Sequence, residues 1–558
     1  QPSSLNVDPN VLASARPALA PIFNALQAGS WEECFFRAIP LAFAALLDRH
    51  FGSGKKILIV MLFVQALIFA AAHANYPQLP GYSRLVELFI PAMVFGLVYL
   101  RFGLLIGILT HFTYDLSLMS LPIFLADDAS LWLDRILVLL AGAAPLLTVL
   151  WAWKKQGKLL PLPESFRNGI QPAPQVQEES PTAIPEQQAG PVGALQFNAK
   201  ALVAIALVSI VLIVVVASKN QPLTWPVFAI DRTAAVAMGE QVLQENGISL
   251  SGEWHRTTTI LSGRSTAFDF VWRESGAAQV QSLLGTYLST PYWISSWRRF
   301  DGPVENRSEV WQVLISPEGK LLQLNHQLPE AATGATLDKE TAEAVARNWI
   351  TELGWAPSTP LEIKSVMESK MPARSDWMVT FLDKNTFTHN DANAAIIVRI
   401  AGDEVAGYAR IIDLPEAWLR AENETNSGLQ VYRVVNSIFM LAIFGCAAAT
   451  FFRKHSGRKF SISLALPWLT VAVLPYLLLT WLRIDGRLNV LPTTMDWTTQ
   501  LSIMLGGLLL GAAAMGVLIF LAAQAIHAQR PRQDAGVNQD FIMGSMLAFG
   551  LLGYQSLL

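Results

Sequence analysis

The chain has 558 residues, more than one ordinary domain accounts for. Hydrophobic residues make up 52% and charged ones 15%, a balance that excludes an ordinary soluble globule and points to a membrane protein. A net charge of −3 offers no basic surface for nucleic acid, and the two cysteines, Cys34 and Cys446, both in apolar stretches, exclude a disulfide framework or a cysteine metal site.

Gln1 stands where a Met would open a gene product, and no signal-peptide pattern follows it. The apolar run to Leu558 stops without a polar flank. Both ends read as cut, so a piece of a longer protein is expected.

In chain order, ten stretches are apolar enough to be predicted as membrane helices: 33–48, 57–73, 85–100, 103–121, 132–152, 201–217, 430–452, 461–482, 500–526 and 541–558. The first five form one bundle, placed at 20–152. Residues 153–199 read as a disordered linker rich in Pro, Gln and Glu. A single membrane helix is expected at 200–218 and an α+β region at 219–429. A second membrane bundle, cut at its C-terminal end, fills 430–558. The predicted fold class is thus a polytopic α-helical membrane protein, of about ten membrane helices, with an inserted soluble α+β region.

The inserted region suggests a duplicated helix-plus-hairpin unit. Helical patterns open at Thr233 and Thr341. Paired β-branched runs follow at 310–315 with 321–324 and at 396–400 with 406–412, around Pro317-Glu-Gly319 and Gly402-Asp-Glu404. The unit is similar to small PepSY- or cystatin-like modules.

Lysine and arginine set the expected orientation. Arg49, Lys55 and Lys56, then Arg101, Lys154, Lys155 and Lys158, then Arg453, Lys454, Arg458 and Lys459, then Arg530 and Arg532 all fall on one side by crossing parity. That side is expected to be cytoplasmic, which puts 219–429 outside the cytoplasm.

Three polar motifs interrupt the N-terminal apolar stretches. Trp31-Glu32-Glu33-Cys34-Phe35-Phe36-Arg37 reads as a helix opening, with Glu33 and Arg37 four apart and able to pair. Glu32 points about 100° away from Glu33. Phe69-Ala-Ala-Ala-His73 ends the next span, its alanines allowing close packing. His111-Phe-Thr-Tyr-Asp115 puts a His and an Asp on one helix face deep in an apolar run. Each motif alone has a plain reading as an interfacial anchor or a self-satisfied polar pair.

Taken in this order, Glu-Glu-x-x-x-Arg, Phe-x-x-x-His and His-x-x-x-Asn/Asp resemble the CAAX-protease and bacteriocin-processing family, which includes the type II CAAX prenyl endopeptidases. The matching residues are Glu32, Glu33 and Arg37, Phe69 and His73, His111 and Asp115. Asp115 stands where the prenyl endopeptidases usually have Asn. The resemblance covers about 20–152 and implies an intramembrane endopeptidase of a bacterial inner membrane acting on a peptide or protein substrate. It implies Glu32 as the base that activates water, His73 as its helper and His111 as a donor to the oxyanion. Asp115 would orient His111, and Arg37 and Phe69 would be structural. Zinc held by Glu32, His73 and His111 and a metal-free glutamate mechanism are equally compatible with these residue types. A bacteriocin-immunity protein without protease activity and a membrane sensor or scaffold with a ligand-binding outer region are the competing functions. In this family about three membrane helices usually precede the Glu-Glu helix; here four apolar spans follow the inserted region instead.

Overall fold

The computed structural model describes residues 9–14, 16–73, 83–126, 128–157, 228–250, 254–262, 265–357, 360–425 and 462–527, with a few isolated positions between 427 and 452. The predicted spans at 201–217 and 541–558, most of the linker, and about two thirds of 430–452 lie outside the described residues.

The chain enters through a 3-10 turn, Pro9–Ala13, and then a long helical run. This run consists of α1 (Leu19–Glu32), a π-helical segment (Glu33–Ala38) and α2 (Ile39–Phe51). The two glutamates therefore lie in the middle of the run, not at its start as the sequence suggested. Asn24, Gln27, Gly29 and Ser30 dilute the hydropathy of the first half. They belong to its packing all the same: Gly29 and Ser30 are buried, and Asn24 Nδ2 reaches Met119 Sδ at 2.9 Å. A Cβ on Gly29 would stand 3.0 Å from the Ile108 carbonyl oxygen, so this glycine lets two helices approach backbone to backbone.

The run is followed by α3 (Lys56–Ala72), α4 (Ser83–Phe102), α5 (Leu104–Met119), the short α6 (Leu121–Leu125) and α7 (Trp132–Gln156). α3 packs on α4, and α5 packs on α1. Four described stretches are long and apolar enough to cross a membrane: Leu85–Phe102, Leu104–Leu125, Ala129–Gln156 and Trp497–Val517. The apolar helices Lys56–Ala72 and Val473–Leu482 are shorter.

The middle region holds two antiparallel sheets. The first begins with α8 (Arg232–Glu245), capped by Asp231, whose carboxylate accepts from Ala234 N–H. Its strands β1 (Trp254–Leu261), β2 (Tyr292–Arg299), β3 (Val310–Ile315) and β4 (Leu321–Gln327) form a four-stranded meander. The second begins with α10 (Lys339–Glu352), capped by Asp338. Its strands are β5 (Glu362–Lys370), β6 (Ser375–Leu382), the two-residue β7 (Thr388–His389), β8 (Ala392–Ala401) and β9 (Glu404–Asp413). Both expected hairpins are present, β3–β4 after a helix and two strands and β8–β9 after a helix and three.

The two units interlock. α9 (Thr266–Leu283) is inserted between β1 and β2, yet its Phe268, Phe270, Val271 and Val280 join the core of the second sheet with Val379, Phe381, Ile396 and Val398. The edge strands β4 and β9 also meet.

The second helical group contributes α11 (Ile462–Leu482), the short α12 (Ile484–Leu488) and α13 (Trp497–His527). α11 lies along α1 and α13, and α13 touches the π segment, so the two groups of membrane helices pack against each other. The first sheet sits on one end of this assembly. Trp293 and Ile315 share an apolar cluster with Leu12, Ile123, Leu131 and Leu479. Thr257 and Thr259 hydrogen-bond Asn489 at 3.1 Å and Asn10 at 2.9 Å, Arg232 pairs with Asp485, and His255 stacks on Trp497. This is the end where α1 begins, α5 ends and α7 begins. The basic loop 49–56, Arg101 and Lys154–Lys155 lie toward the other end.

Candidate active site

Glu32 closes α1, and Glu33 and Arg37 lie one π-helical turn apart in the segment that follows. The Ile39 N–H donates to Cys34 O, a five-residue bond that marks the π geometry. Glu33 and Arg37 are wholly buried, and Arg37 Nη1 stands 3.4 Å from Glu33 Oε1. The guanidinium lies on the Phe69 ring at 4.0 Å, with Phe95 at 5.2 Å, so aromatic faces supply the rest of its surroundings.

His73 stands just beyond α3, where its Nδ1 lies 2.8 Å from Phe69 O. A carbonyl only accepts, so Nδ1 carries the proton and Nε2 presents its lone pair. That Nε2 is 3.7 Å from Glu32 Oε2.

His111 and Asp115 share a face of α5. His111 Nδ1 lies 2.8 Å from Glu33 Oε1, and its Nε2 lies 3.4 Å from Asp115 Oδ2 and 3.8 Å from Glu32 Oε2. Phe95 from α4 stacks on the imidazole, centroids 4.6 Å apart and planes 13° apart. The structure thus brings Glu32, Glu33, Arg37, Phe69, His73, His111 and Asp115 into one cluster, built from α1, the π segment, α3 and α5.

Two further members escaped the sequence reading. Gly107 lies one turn before His111, and a Cβ there would stand 3.2 Å from Glu33 Oε2, so its lack of a side chain admits the carboxylate. The i, i+4 stripe Gly107–His111–Asp115 was a readable signal. Phe95 had none, because it is one apolar residue among many in α4.

Among the described residues no group of three or more His, Cys, Asp or Glu side chains is arranged to hold a metal ion. The zinc set Glu32, His73 and His111 converges, with Oε2–Nε2 spacings of 3.7 and 3.8 Å. The chemistry below is derived from the side chains themselves.

Residues 14–117 match the family model of the type II CAAX prenyl endopeptidase Rce1-like proteins, from just before α1 to the last turn of α5. Over this segment the chain is similar to the CAAX-protease family. The match contains every one of the clustered motif residues. No curated protein and no solved structure matches the chain. The α+β region and the C-terminal helices therefore stand outside what the CAAX-protease match describes.

Proposed function

We propose that the chain is an intramembrane endopeptidase that hydrolyses a peptide bond at or within the membrane with water activated by Glu32. The observation that carries this reading is the position of Glu32 Oε2, buried and without a direct hydrogen-bond partner, between the Nε2 atoms of His73 at 3.7 Å and His111 at 3.8 Å.

Glu32 Oε2 and His73 Nε2 are both acceptors. A water donating one proton to each presents its free lone pair away from them, toward a peptide carbonyl. As the water attacks, Glu32 takes its proton, and the carbonyl oxygen becomes an oxyanion. His111 Nε2–H is the nearest donor for that oxyanion. With Nδ1–H held by Glu33, His111 can donate from both nitrogens as an imidazolium. Asp115, as a carboxylate, orients Nε2 and balances its charge without donating to the oxyanion itself. Protonated Glu32 then returns its proton to the leaving amine, and the C–N bond breaks. Glu33 and Arg37 hold the base and the donor in register.

Sequence and structure together support an opening toward the end of the bundle that carries the first sheet. Loop 49–56 lies nearly the whole of α2 and α3 away from Glu32 and His73. By the charge rule the sheet end is extracytoplasmic, in a bacterial inner membrane, with a peptide or protein substrate presented there. The test is cleavage of a fluorogenic peptide library by the protein in liposomes: activity in the unmodified chain that Glu32→Gln abolishes supports the reading, and equal turnover by both removes it.

A further inference from the structure

The seam between the two sheets carries a side-chain cluster that the proteolytic reading leaves unused. His326, near the end of β4, stacks flat on Trp311 of β3, centroids 3.6 Å apart and planes 8° apart. Its Nδ1 is 2.8 Å from Glu404 Oε1, at the start of β9, and its Nε2 is 3.3 Å from Glu309 Oε1, just before β3. One carboxylate belongs to each sheet unit, and the imidazole bridges them. Only 11% of the His326 side chain is exposed.

Both ring nitrogens face carboxylate oxygens, which accept and do not donate. A neutral imidazole has one N–H and can satisfy one of them, leaving its lone pair against the other; only the imidazolium donates to both. Arg299 of β2 stands 3.4 Å from the other oxygen of Glu309, and its cation lies over Trp254, so Glu309 is held from the first-sheet side. Arg399 of β8 and Asn325 of β4 both lie close to Gly407 beside the seam, and Asp403 adjoins Glu404 in the β8–β9 turn. Gln323 Nε2 also donates to Tyr408 O across this seam, and the Leu324 backbone hydrogen-bonds the Tyr408 hydroxyl. The first sheet is fixed to the membrane helices through Asn10, Asp485, Asn489 and Trp497.

We infer that His326 is a pH-operated latch between the two sheet units, closed when the imidazole is doubly protonated and released when it is neutral. With the imidazole doubly protonated both carboxylates are bridged; loss of one proton leaves a lone pair against one of them, and the β4–β9 seam loosens. The inference is independent of the chemistry at Glu32.

The full chain in lipid nanodiscs tests this, with Cys34 and Cys446 replaced by serine and spin labels at Lys320→Cys and Lys370→Cys, one exposed site in each unit. The distance distribution is expected to be narrow at about pH 5.5 and broader at about pH 8.5, a range that brackets imidazole titration. With His326→Gln it is expected to be the same at both values, and Glu404→Gln, a change at an exposed position, should reduce the pH effect. A distribution in the parent background that does not change with pH overturns the latch. So does a pH effect that persists in full in both variants.

Discussion

His111 is held by Glu33: Nδ1 and Oε1 are 2.8 Å apart between two buried side chains that are 78 positions apart in the chain. The second glutamate of the pair thus serves the imidazole as well as the arginine, and Arg37, at 3.4 Å from the same oxygen, completes a buried arginine–glutamate–histidine chain. Glu32, one residue earlier, is turned to the side where His73 enters.

Glu32→Gln should lower peptide cleavage by at least ~100-fold, the lower end of what a general base contributes. Gln keeps the shape and the amide can still hydrogen-bond, so yield and elution on size exclusion should match the parent. Residual turnover near the parent's would move the base to another residue.

Glu33→Gln should also reduce cleavage, because it removes the charge facing His111 Nδ1 and Arg37 together. Arg37→Ala should act on folding instead. It leaves Glu33 buried without its cation, at a cost of about 3–5 kcal/mol, so less folded protein should be recovered from membranes. Thermal melts of the purified variants separate the two effects.

Phe95→Leu should cut turnover more than it cuts stability, since it removes the ring stacked on His111. Phe102→Leu, a buried change on the same helix away from the cluster, gives the packing comparison. Phe95→Tyr should restore most of the lost activity. Equal losses in the Phe95→Leu and Phe102→Leu proteins would reduce Phe95 to core packing.

Chelators should leave cleavage unchanged, and metal analysis of the active protein should find less than one zinc per chain. Loss of activity restored by added zinc would reassign Glu32, His73 and His111 as ligands.

Orientation can be read by cysteine labelling at Ser53 and Lys320 in intact cells, after Cys34 and Cys446 are removed. Lys320 is chosen because it is exposed, whereas Ser316 in the same turn is buried. Lys320 should label from outside and Ser53 only after permeabilisation. Labelling of both from one side would refute the topology.

The cluster was largely legible because intramembrane charge is costly and stands out: Glu32, Glu33, Arg37, His111 and Asp115 interrupt apolar runs at helical spacing. The hairpins were legible for a similar reason, since Pro317-Glu-Gly319 and Gly402-Asp-Glu404 punctuate β-branched runs. The start of α1 was not, because hydropathy averages over Gly29 and Ser30 without registering that a small residue marks a close helix contact. Nor could periodicity reveal that α9 belongs to the core of the sheet encoded after it, or that α11 runs beside α1. Those contacts join residues far apart in the chain, and no local pattern encodes them.

The pairing of α1 with α11 bears on biogenesis. Residues 19–32 are synthesised before either sheet, but the helix they lie against ends at Leu482. The glutamate-bearing helix therefore waits through the synthesis of both sheets before its neighbour arrives. The proposed active site therefore reaches its final packing only after α11 has been made.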